Sequence, residues 1–105
     1  MLWALGFVDQ LDYPSGICDV AKLVGIVKEQ GPSGLKMNAR PRVSAEILDE
    51  ADLIYRLHWA VRQAQLGQGP VVPDTEAGVV MERHHSLNWL LASRNEMWDH
   101  VSTNT

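Results

Sequence analysis

The 105 residues amount to one domain, enough to bury roughly two-thirds of the unfolded surface around a single core and too few for two cores. With 46% hydrophobic and 21% charged residues, the composition excludes a disordered or fibrous protein. A formal charge of -4 has the wrong sign for binding a phosphate backbone, so nucleic acid is set aside as a partner. The charge is uneven: residues 1–42 carry five basic and four acidic side chains, whereas residues 43–105 carry four basic and nine acidic, which puts the acidic surface in the second half.

The chain opens on Met1-Leu2-Trp3-Ala4-Leu5-Gly6-Phe7-Val8, an apolar run without the polar cap that normally starts a helix. It reads as the end of a helix or as a segment docking Leu2, Trp3 and Leu5 into the core, and either way Trp3 is expected to be buried. Asp12-Tyr13-Pro14-Ser15-Gly16 then has the composition of a turn. Asp19 caps a helix over about 19–30, in which Val20, Leu23, Val24 and Val27 recur at helical spacing before Gly31-Pro32 ends it. Residues 31–43 are expected to be irregular and basic, through Lys36, Arg40 and Arg42, with one helical turn at Leu35 and Met37. Cys18 is expected to pack as a small hydrophobe. Being the single cysteine, it cannot form an internal disulfide, and with no signal peptide led by Arg or Lys the expected setting is the cytoplasm.

The strongest pattern runs from Ser44 to Leu66, a helix of some 20 residues and about 30 Å. Ile47, Ala51, Ile54, His58 and Val61 form one apolar stripe, Leu48, Tyr55, Trp59 and Leu66 a second, and Leu53, Leu57, Ala60 and Ala64 a third. A helix so widely apolar is expected to be central and covered on at least two sides, with Trp59 in the core. Gly67, Gly69 and Pro70 end it. Asp74 is expected to cap a last helix, about Thr75 to Ala92, with Val80, His84, Leu87 and Leu91 on one face. No stretch alternates as a strand would, and none reaches the ~20 apolar residues of a membrane span. The expectation is one all-α domain over 1–105: a small helical bundle with a long central helix over about 45–66, packed against helices over about 19–30 and 75–92.

Polar residues on the two later helices offer one candidate cluster: Asp49, Glu50, Asp52, Arg56, His58, Glu82, Arg83, His84 and Asn88. Asp52 and Arg56 are an i,i+4 ion pair. Carboxylates and imidazoles converging from two helices suit acid–base or metal chemistry, while the same residues buried as a charge network would fix how the helices dock. Glu82 and His85 have the Glu-x-x-His spacing of di-iron bundles, but the motif needs a second copy, so no metal and no cofactor are expected.

The segment Ile47-Leu48-Asp49-Glu50-Ala51-Asp52-Leu53-Ile54-Tyr55-Arg56-Leu57-His58-Trp59-Ala60-Val61-Arg62 resembles a bacterial family known as Domain of Unknown Function 4272. Leu2-Trp3-Ala4-Leu5-Gly6, Cys18-Asp19, Val79-Val80-Met81-Glu82-Arg83-His84 with Leu87-Asn88-Trp89-Leu90, and Trp98-Asp99 with Val101-Ser102-Thr103-Asn104-Thr105 agree with it. The resemblance implies that the chain corresponds to the C-terminal part of a longer family domain; it implies no activity. His85 and His100 depart from the family pattern, which removes them as candidates. The leading expectation is a soluble binding or interaction module that self-associates as a homodimer through the apolar segment around Trp3. The alternatives are an enzyme or small-ligand protein with an Asp/Glu/His pocket, and a regulatory or toxin-neutralising partner whose acidic surface meets a basic target.

Overall fold

The computed structural model describes residues 1–91 and 97–105. It is all-α: α1 spans Val20–Asn38, α2 Ser44–Gln65 and α3 Ala77–Leu91, followed by a single 3-10 turn over Trp98–His100. Ala92, the expected end of the last helix, lies outside the described residues. No described helix is long and apolar enough to cross a membrane.

Packing starts from the first of the three α2 stripes. Ala51, Ile54, His58 and Val61 are buried, and they face Val80, His84 and Leu87 of α3. Trp3 and Ala4 close the core from the N-terminal side, with Val8, Leu11, Ile47 and Leu57 packed around it. Of the other two stripes of α2, Leu57 packs at the edge of the core while the larger side chains stay out of it. Leu48, Leu53, Tyr55 and Leu66 are exposed, and Trp59 is 51% exposed, so α2 is covered on one side rather than two. α2 thus has one apolar face in its own domain and another facing outward.

The N-terminal run folds onto its own chain. Leu5 N–H bonds to the Met1 carbonyl, Gly6 N–H to Trp3 and Phe7 N–H to Leu2, the paired pattern of a Schellman helix end with Gly6 in the left-handed position at φ 84. A side chain there is excluded twice over, because a Cβ on Gly6 would lie 2.6 Å from the Arg40 carbonyl. Arg40 and Arg42 each donate a backbone N–H, to Leu5 and Ala4 respectively, which pins the α1–α2 connection to this turn. Trp3 is 7% exposed as a result, buried as expected.

The first helix departs most from expectation. Asp19 caps it as expected, its Oδ1 accepting the Lys22 N–H at 3.1 Å. Gly31 breaks it with φ 65, but helix resumes at once and runs to Asn38 where an irregular segment was expected. Pro32 explains this: proline is favoured in the first turn of a helix, whose N–H groups have no intrahelical partner, so Gly-Pro stops one stretch and starts the next. No residue of α1 is buried, and the expected packing of this helix on α2 is not found; among the described residues the helices that pack together are α2 and α3. Cys18, just before α1, is exposed rather than packed.

The start of α3 is also corrected. Asp74 is not its cap but a loop residue at φ 52, and the helix starts at Ala77, with Glu76 Oε1 3.5 Å from the Gly78 N–H. This loop is tied to the early turn by Tyr13 and Thr75, whose hydroxyls lie 2.6 Å apart, and by the Glu76 N–H donating to the Pro14 carbonyl.

Candidate functional site

The nine polar residues do not form one site. Asp52 and Arg56 pair at 3.0 Å on the open surface of α2. Asp49 and Glu82 are exposed, and Asn88 turns toward the C-terminal tail, donating from Nδ2 to the Ser102 carbonyl at 3.0 Å. Arg83 is half-buried; burial lowers its pKa, while the nearby carboxylates of Glu50 and Asp12 act the other way. A small cleft of about 100 Å³ between Glu50 and Arg83 is otherwise lined by Tyr13, Pro14, Leu53, Ile54 and Leu57. Among the described residues no group of three or more His, Cys, Asp or Glu side chains is placed to hold a metal.

His58 and His84 are brought together, inside the core. Their Nδ1 atoms lie 2.8 Å apart and the rings meet edge to face at 5.1 Å, with His58 7% and His84 1% exposed. Two Nδ1 atoms at this distance need one donor and one acceptor, so one ring carries its proton on Nδ1 and the other offers a lone pair there. Burial favours this neutral pair: it holds His84 down at about 4, assisted by repulsion from His58, and it lowers His58, with Arg62 adding to the effect. The edge of Tyr55 packs on His84 at 5.8 Å. Such a pair links α2 to α3 through one specific hydrogen bond.

A second polar feature sits on the outside. A shallow cleft of about 290 Å³ is lined by Trp3, Asp9, Gln10, Leu11, Arg42, Glu46, Asp49 and Glu50. Its one basic residue, Arg42, is fully engaged: Nε donates to the Trp3 carbonyl and Nη2 to the carbonyls of Val8 and Asp9, all at 2.8 Å. Its Nη1 lies 3.2 Å from Glu46, and the guanidinium carbon stands 4.6 Å above the Trp3 ring. Arg42 is therefore a clamp on the N-terminal segment. Sequence reasoning saw only a basic linker residue, because contacts to carbonyls more than 30 positions away leave no trace in helical periodicity.

The C-terminal tail returns to α3 in a similar way. His85 donates from Nε2 to the Trp98 carbonyl at 2.8 Å, and Trp98 packs against both His85 and Trp89. His85 thus has a structural partner.

A further feature among the described residues is an exposed apolar face. Leu48, Tyr55 and Trp59 share one face of α2, with Leu66 at its C-cap in line with them, each about half exposed and together extending over about 27 Å. Isolated exposed hydrophobics are normal, but a face on which tyrosine and tryptophan stand together, flanked by the charged Asp52 and Arg62, has the aromatic core and polar rim of an interface.

A family model described as Domain of unknown function (DUF4272) matches residues 1–101 of the chain. No curated protein and no solved structure matches it.

Proposed function

The chain belongs to the DUF4272 family, and from that premise we propose that it works as a helical interaction module, presenting the outer face of α2 to a protein partner. The observation that carries this reading is the stripe of Leu48, Tyr55, Trp59 and Leu66, which stays open while the opposite face of the same helix supplies the core. An amphipathic partner helix is the natural occupant, since apolar anchors at helical spacing recognise one another along such a face. The polar candidates favour this over an enzyme. Asp52 and Arg56 satisfy each other at the surface, and the buried titratable pair among the described residues, His58 with His84, is spent on a helix-to-helix hydrogen bond.

The proposed setting is the bacterial cytoplasm, where the lone, exposed Cys18 stays a free thiol. Photo-crosslinking in cells tests the interaction reading. A benzophenone amino acid at position 59 is expected to give discrete adducts, and the same group at Asp74, on the loop before α3, is expected to give none. Equal labelling at both positions, or none at position 59, would remove α2 as the docking face.

A further inference from the structure

We infer that the partner is a second copy of this chain, and that the two copies exchange helices: the valine face of α1 in each covers the outer stripe of α2 in the other. This rests on the outer face of α2 being a docking surface. The first argument is that the chain carries two orphan apolar faces. Val20, Val24 and Val27 line one side of α1 and are exposed, with Leu23 beside them half-buried. A helical stretch of 11 residues from Val20 to the break at Gly31, with Gly25 inside it, is marginal in water unless its apolar face is packed. Among the described residues Val20, Val24 and Val27 stay uncovered.

The second argument is that α1 is held away from its own α2. The connection between them is anchored by the Arg40 and Arg42 backbone N–H groups on the Leu5 and Ala4 carbonyls and by the Arg42 side chain, which fixes where α1 leaves the core. The outer stripe of the same chain is therefore left to another molecule. A two-fold pair covers both faces at once and closes the assembly, and each contact is used twice, which helps reach the ~1,200 Å² of a stable interface.

Charge supplies the third argument and the direction. The docking stretch of α1, Val20 to Gln30, carries Lys22 and Lys28 against Glu29, a net +1, whereas the first half of α2 carries Glu46, Asp49, Glu50 and Asp52 before Arg56 is reached. Lys28, in the turn that follows Val24, comes beside Asp49 and Asp52 when the two helices run antiparallel. Opposite charges at the rim then select this register.

Sedimentation equilibrium of the full chain from about 1 to about 200 μM tests the inference. The expected result is a dimer of 11.7 kDa chains, with Val24→Glu and Trp59→Glu each weakening association at least about tenfold while circular dichroism stays helical. Both positions are exposed in the single chain, so neither change should unfold it. In a Cys18→Ser background, mixing Val24→Cys with Tyr55→Cys chains, the pair that faces when Lys28 lies beside Asp49 and Asp52, is expected to give a disulfide-linked pair under oxidation. A monomer at 200 μM, or a dimer indifferent to both glutamate variants, would overturn the exchange. If the chain is monomeric yet position 59 still crosslinks to a different protein in cells, the exchange fails and the docking face stands; if neither is seen, both fail.

Discussion

His58 and His84, 26 residues apart in the chain, meet Nδ1 to Nδ1 at 2.8 Å in the core between α2 and α3. The bond needs a lone pair on one of the two Nδ1 atoms and is lost once both rings are protonated, so it ties the docking of the two helices to proton concentration. His58 also feels Arg62, which disfavours its charge further, and Tyr55 contributes only a ring edge to His84.

The pH dependence has a definite sign. His84 titrates at about 4 in the folded chain and at the ordinary 6.5 when unfolded, so between these values the unfolded state binds more protons. Stability is fully present above about 6.5 and is lost as the pH falls toward about 4, with a slope of up to about 1.4 kcal/mol per pH unit for one proton. Melting temperatures taken from pH 8 to pH 4 are expected to fall through this window. The double variant His58→Leu/His84→Leu, which removes donor and acceptor together, is expected to lose that part of the slope. An unchanged slope would show that the pair is not the titrating group.

Arg42 is expected to matter more than its place in a linker suggests. Arg42→Ala removes the donors to the Trp3, Val8 and Asp9 carbonyls and the contact with the Trp3 ring, at a cost of about 2 to 3 kcal/mol. Arg42→Lys is not expected to recover it, because an ammonium cannot reproduce the forked geometry. Urea denaturation followed by tryptophan fluorescence measures both, and a loss below about 0.5 kcal/mol in the alanine variant would contradict the clamp.

The two faces of α2 should respond differently to truncation. Ile54→Ala, at 2% exposure, is expected to cost about 2 to 5 kcal/mol. Trp59→Ala, measured in dilute solution where the chain stands alone, is expected to cost less than about 1 kcal/mol. Comparable losses at both positions would place Trp59 in the core after all.

Asp52 and Arg56 are expected to be nearly silent. Their i,i+4 pair lies open to solvent, and such pairs contribute about 0.3 to 0.5 kcal/mol. Arg56→Ala should leave the melting temperature nearly unchanged at moderate salt, whereas a buried charge network would make the same change strongly destabilising.

Much of this was readable from spacing alone. Ile47, Ala51, Ile54, His58 and Val61 on α2, with Val80, His84 and Leu87 on α3, follow the helical period that any core-facing stripe must follow, and they are the residues that pack. Periodicity shows which residues share a face; it does not show whether that face has a partner. Spacing therefore assigns Trp59 and the α1 valines to apolar faces, while among the described residues they stay exposed. The break at Gly31 was legible and the resumption after Pro32 was not, because the same dipeptide signals both an end and a start. Arg42, and the meeting of His58 with His84, depend on tertiary approach between distant segments, which leaves no local pattern.

The most direct measurement is fluorine nuclear magnetic resonance of the chain carrying fluorotryptophan at its four tryptophans, Trp3, Trp59, Trp89 and Trp98. The Trp59 resonance, assigned by its loss in Trp59→Phe, is expected to shift as the concentration rises from about 5 to about 500 μM, while that of the buried Trp3 stays fixed. A Trp3 resonance that moves with concentration while Trp59 does not would return the interface to the N-terminal segment and contradict the outer face of α2 as the docking surface.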